Sequence, residues 1–160
     1  IQAITETNLT VYIQTEDNRI NTSVSSAHIR HLLKFTNDLD KSIHYAYGAT
    51  ETIYNRYTKL TFIYYTTPNV YTGRIKFLPS GYWKYEAYEV SWASDSIEVG
   101  EETAPKDETE VLSPPAATKG IVQGLVTKGK MYVSDIDGTK QVTYRQHPEP
   151  SGTNYIYYGQ

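Results

Sequence analysis

Apolar and polar residues alternate with a period of two along most of the chain, as in strands that bury one face. Leu9, Val11 and Ile13 alternate with Thr10, Tyr12 and Gln14. Ile29, His31, Leu33 and Phe35 alternate with His28, Arg30, Leu32 and Lys34, and Ile43, Tyr45 and Tyr47 with Ser42, His44 and Ala46. In the run 57–65, Leu60, Phe62 and Tyr64 face away from Lys59, Thr61 and Ile63. The turn Thr67-Pro68-Asn69 leads to Gly73, Ile75 and Phe77, and Pro79-Ser80-Gly81 turns the chain again. Residues 82–92 form the densest strand, with Trp83, Tyr85 and Ala87 on one side and Tyr82, Lys84, Glu86 and Tyr88 on the other. Order resumes at 121–126 and 128–134, where Met131 and Val133 alternate with Lys130 and Tyr132. Short strands spaced by roughly 8 to 12 residues, with no helical period, predict an all-β, antiparallel, immunoglobulin-like sandwich over residues 1–134.

Two stretches break the alternation. Between 93 and 119, Glu98, Glu101, Glu102, Asp107, Glu108 and Glu110 precede Ser113-Pro114-Pro115-Ala116-Ala117-Thr118. This composition predicts a long, mobile, solvent-facing loop that buries little. Residues 135–160 contain Gly138, Pro148, Pro150 and Gly152 and end in Asn154-Tyr155-Ile156-Tyr157-Tyr158, which predicts an extended C-terminal arm.

Charge and composition narrow the function. The 160 residues hold 15 Lys+Arg against 18 Asp+Glu, a net charge of -3, so there is no basic surplus for phosphate and nucleic acid is not an expected partner. No cysteine is present, which removes disulfides, thiolate metal sites and thiol nucleophiles. No apolar run approaches the roughly 18 residues of a spanning helix, so no membrane partner is expected. The chain starts at Ile1 without methionine, which suggests trimming or processing upstream.

Catalytic chemistry finds no foothold in these residues. His28 and His31 stand three apart in a strand and point to opposite faces, a poor spacing for a metal, so the four histidines, His44 and His147 included, read as structural or solvent-facing. Asp135-Ile136-Asp137-Gly138 opens like a calcium loop, but Thr139 and Gln146 stand where the later ligands belong, and the segment reads as a turn. The glutamates of 98–110 lack the rigid cleft that acid–base work requires. A non-enzyme without metal or cofactor is expected.

Tyrosine is in excess, at 16 of 160 residues. It offers a large contact area with a polar tip at low entropic cost, which marks Tyr64, Tyr71, Tyr82 and Tyr88 as possible surface aromatics. In the arm, Tyr144, Tyr155, Ile156, Tyr157 and Tyr158 are candidate partner-binding residues. An uncharged alternating strand beyond a Pro-containing linker suits a sheet edge, its own or a neighbour's.

The order of Phe35-Thr36-Asn37-Asp38, the strand 57–62, Gly81-Tyr82-Trp83-Lys84-Tyr85-Glu86-Ala87-Tyr88-Glu89, and Val126-Thr127-Lys128-Gly129-Lys130-Met131-Tyr132-Val133 resembles small virion proteins of tailed bacteriophages, those of crAss-like and Bacteroidetes-infecting phages above all. The resemblance implies an immunoglobulin-like virion component, a capsid decoration, head-fibre or neck/tail accessory protein. Its implied partners are the major capsid or neck/tail proteins and further copies of itself in a symmetric array. The acidic stretch 98–120 departs from that pattern in length and charge. Two other readings remain open: a carbohydrate-binding module stacking sugars on Trp83, Trp92 or tyrosines of one sheet face, and a bacterial surface adhesion domain.

Overall fold

The computed structural model describes residues 1–94 and 97–137; the arm candidates Tyr144, Tyr155, Ile156, Tyr157 and Tyr158 lie outside the described residues. The described chain is all β apart from two three-residue 3-10 turns. Nine strands follow in order: β1 (Gln2–Ile4), β2 (Leu9–Ile13), β3 (Ile29–Asn37), β4 (Ile43–Tyr47), β5 (Thr50–Ile53), β6 (Thr58–Tyr64), β7 (Arg74–Ile75), β8 (Gly81–Ser91) and β9 (Ile121–Ser134). They form a five-stranded sheet, β1-β9-β8-β3-β4, and a second sheet, β2-β6-β5, with β7 beside the end of β6.

The expectation of a purely antiparallel sandwich is corrected at two edges, where β1 runs parallel to β9 and β7 parallel to β6. β1 and β9 lie at opposite ends of the described chain and residues 65–73 separate β6 from β7, so no tight hairpin turn dictates either direction. The short strands β1 and β5 carry too few residues to show a period. His28 belongs to a 3-10 turn rather than to the strand that His31 occupies.

Period-two alternation packs the two sheets against each other. Leu33, Phe35, Ala46, Trp83, Ala87, Met131 and Val133 of the larger sheet meet Leu9, Val11, Ile13, Leu60, Phe62 and Ile75 of the smaller, with Phe77 beside them. Phe77 meets Phe35 edge to face at 5.0 Å and Trp83 at 5.5 Å, and Phe35 meets Phe62 at 5.5 Å. Such aromatic pairs add about 0.5–1.5 kcal/mol each beyond the area they bury. Two bulges in β9, at Val126 and Gln123, shift its register against β8 and turn Val126 inward while Leu125 stays exposed. At Gly73, φ is +68° and an added Cβ would lie 2.2 Å from the Ala49 nitrogen, so only glycine closes that turn.

One end of the sandwich is polar inside. His31 Nδ1 lies 2.6 Å from Glu51 Oε1, and the His31 amide donates to Glu51 Oε2 at 3.1 Å, which ties β3 to β5 across the two sheets. Glu89, beside His31 on the same face, accepts from the amides of Ile20 and Asn21 at 2.9 and 2.8 Å. Buried polar groups persist where they are paired in this way. His31 is thus a structural residue.

Candidate functional site

The insertion between β8 and β9 was expected to bury little and to face solvent; the structure corrects the first for 97–105, while 113–118 do face solvent. The outer face of the larger sheet presents Leu32, Tyr45, Tyr47, Tyr88, Val90, Trp92 and Val122, an apolar surface that needs a cover. The insertion supplies it: Ala104 is fully buried, and Ile97 and Val99 pack alongside. Its acidic residues are compatible with that role because the few apolar side chains among them point down while Glu98, Glu101 and Glu102 point out.

Specific bonds pin the cover. The Trp92 indole donates to the Thr103 carbonyl at 3.1 Å, the Tyr47 hydroxyl donates to the Pro105 carbonyl at 2.8 Å, and the Gly120 amide returns to the Thr103 carbonyl at 2.8 Å. Lys34 Nζ donates to Glu108 Oε1 at 2.5 Å. Burial works to raise the Glu108 carboxyl, but hydrogen bonds from Lys34 and Tyr45 outweigh it and hold the group below the usual carboxylate range. The bond to Glu108 likewise holds Lys34 above the ordinary lysine value. Burial, with Glu108 beside it, pushes the Tyr45 hydroxyl up to about 12.

Folded back in this way, the insertion walls a cavity of about 570 Å³ between its second half and the start of β9. Val111, Leu112, Pro115, Ala116, Ile121 and Val122 make it largely apolar, and Glu108, Glu110 and Lys119 stand among them. Val111 is 87% exposed and Ile121 63% exposed, so the apolar surface continues onto the rim. The insertion carries six carboxylates against two lysines between 97 and 120, which gives this end of the molecule a negative field.

The tyrosines marked in sequence are scattered. Tyr82, 64% exposed, meets Tyr132 in a tilted pair at 5.0 Å on the open half of the larger sheet. Tyr71 and Tyr88 pack under the insertion, and Tyr64 is half-buried at the end of β6. The structure does not bring these four together. Trp83 and Trp92, offered as sugar platforms, are buried and bonded through their indole nitrogens to Pro79 and Thr103, which removes them from that role.

A different aromatic cluster escaped the sequence reading. Tyr12 on β2 meets Tyr57 at 5.7 Å, and Tyr57 meets Tyr54 at 4.7 Å, all three exposed. Tyr54 and Tyr57 flank the β5–β6 turn, and only the pairing of β2 with β6 adds Tyr12.

Among the described residues, no group of three or more His, Asp or Glu could hold a metal ion, and no helix is long and apolar enough to cross a membrane. Comparison of the chain with protein-family models, with curated proteins and with solved structures gives no match.

Proposed function

We propose that the chain is a non-enzymatic, immunoglobulin-like virion protein of a tailed bacteriophage, which docks on the capsid or neck/tail through the tip of its β8–β9 connection. The strand order supports the fold reading: β9, β8, β3 and β4 take the places of strands G, F, C and C′, and β2, β6 and β5 those of B, E and D. The enlarged connection is then the F–G loop, which stands at the end where variable domains of this class recognise partners. The segment pattern of the strands supports the virion setting.

One observation carries the docking reading: the apolar cavity of about 570 Å³ whose rim exposes Val111 and Ile121 beside Glu108 and Glu110. It fits an apolar side chain of a partner protein. The arm residues Tyr144, Tyr155, Ile156, Tyr157 and Tyr158 contact neighbouring subunits of the array. The test is reconstitution of virions lacking this chain, read by co-sedimentation. The wild-type protein binds, and Val111→Asp with Ile121→Asp loses binding at unchanged circular dichroism. Equal binding of the double variant, or absence of the chain from purified particles by mass spectrometry, overturns the proposal.

The exposed cluster Tyr12, Tyr54 and Tyr57 favours a second reading, a carbohydrate-binding module. That reading requires titration with neutral oligosaccharides to saturate and Tyr54→Ala with Tyr57→Ala to abolish it.

A further inference from the structure

A sheet edge without protection stands out on the smaller sheet. Among the described residues β2 has one strand neighbour, β6, and none pairs with the backbone groups of its other side. Its sequence, Leu-Thr-Val-Tyr-Ile, contains no charge and no proline, and its outward side chains, Thr10 and Tyr12, are exposed. The other edges are guarded. β1 is three and β5 four residues long, and the Tyr47 amide of β4 is already taken by the Val70 carbonyl.

The described chain leaves the sandwich beside this edge. The Thr5 amide donates to the Ser134 carbonyl at 2.8 Å, and the Ile136 amide donates to Thr5 Oγ1 at 2.9 Å, four residues before Leu9. Beyond Asp137 the sequence continues for 23 residues, through Pro148 and Pro150, to the uncharged segment Asn154-Tyr155-Ile156-Tyr157-Tyr158. That segment has the length of β2 and an alternation that suits a strand.

We propose that the free edge of β2 is the acceptor for residues 154–158 of a second copy of this chain. The inference rests on the array contact proposed above and names its acceptor. Direction favours a second copy: the described chain departs at the Leu9 end, from which its own segment meets β2 directly only in parallel, the less stable pairing per residue. Reciprocal exchange between two copies lets each segment run antiparallel and closes the pair with two-fold symmetry. The added strand pairs its main chain with β2 and places a tyrosine against Tyr12, a favourable cross-strand pair.

The experiment uses the full chain in two versions, an acceptor variant (Thr10→Lys with Tyr12→Lys) and a donor variant (Tyr155→Lys with Tyr157→Lys). Sedimentation velocity is expected to show self-association of the wild type, weakened about tenfold or more in each variant, and partly restored when the two are mixed. Because the chain has no cysteine, a mixture of Thr10→Cys chains with Tyr157→Cys chains gives a second readout, a covalent heterodimer on mild oxidation. A monomeric wild type, an acceptor variant that associates like wild type, or no cross-linked heterodimer overturns the inference. Virion attachment through Val111 and Ile121 is scored separately, so failure of strand exchange with attachment intact removes this inference and leaves the docking reading standing.

Discussion

Between the sheets, Phe35, Phe62, Phe77 and Trp83 meet edge to face, and the one polar group among them, the Trp83 indole, is satisfied by a carbonyl four residues away. On the outer face of the larger sheet, Tyr47, Trp92 and Lys34 each commit a polar group to the insertion at 103–108. The inner cluster is held by apolar area and shape, which are indifferent to pH. The outer one adds a few directional bonds and an ion pair to a smaller apolar area. The proposed docking tip therefore rests on the part of the molecule that is more easily released.

Variants can separate the two regions. Trp83→Ala opens a cavity between the sheets and is expected to cost about 3–5 kcal/mol of global stability, read as a lower urea midpoint. A loss below about 1 kcal/mol would mean that the inter-sheet core does not dominate. Gly120→Ala attacks the outer region: its Cβ would lie 2.6 Å from a Trp92 ring carbon and 2.8 Å from Val90 Cγ1. Overpacking of this kind costs about 1–3 kcal/mol. Faster amide exchange is expected across 97–120 with β3 unchanged; equal acceleration in both would deny the insertion its independence. Tyr47→Phe removes the donor to the Pro105 carbonyl, at a cost of about 1 kcal/mol, with the same regional signature.

The smallest effect is on pH. Glu108 is held below its usual range, so its contribution is present above the ordinary carboxylate value and is lost as pH falls through the lowered one. Lys34 is held above its usual range, so its contribution fails only on the alkaline side. For a partly exposed pair about 1 kcal/mol or less is at stake. Protection of the Trp92 indole proton should fall as pH drops below the ordinary carboxylate range while that of the Leu33 and Phe35 amides does not, and Glu108→Gln should abolish that pH dependence.

The inter-sheet core was legible because its strands alternate: Leu9, Val11 and Ile13, or Trp83 and Ala87, declare a buried face without reference to anything distant. The outer cluster was not. Leu32, Tyr88 and Val90 occupy what alternation marks as the solvent side, and their cover comes from a segment whose glutamates and prolines suggest a solvated loop. Ala104 and Pro105 are buried by the bonds of Trp92 and Tyr47, contacts between residues 11 to 58 positions apart that no local pattern announces. The tyrosine surplus was visible, yet its placement was not. Tyr12 joins Tyr54 and Tyr57 only through the pairing of β2 with β6, and Tyr71 and Tyr88 fall under the insertion.

The central claim is that residues 97–120 are a folded tip. Amide hydrogen exchange at neutral pH tests it most directly, at Ala104 and Gly120, whose amides bond the Gly100 and Thr103 carbonyls at 2.8 Å. Protection of both, released by Gly120→Ala, is the predicted result. Exchange of both at the rate of an unstructured chain, beside a protected β8, would contradict the account and with it the docking tip.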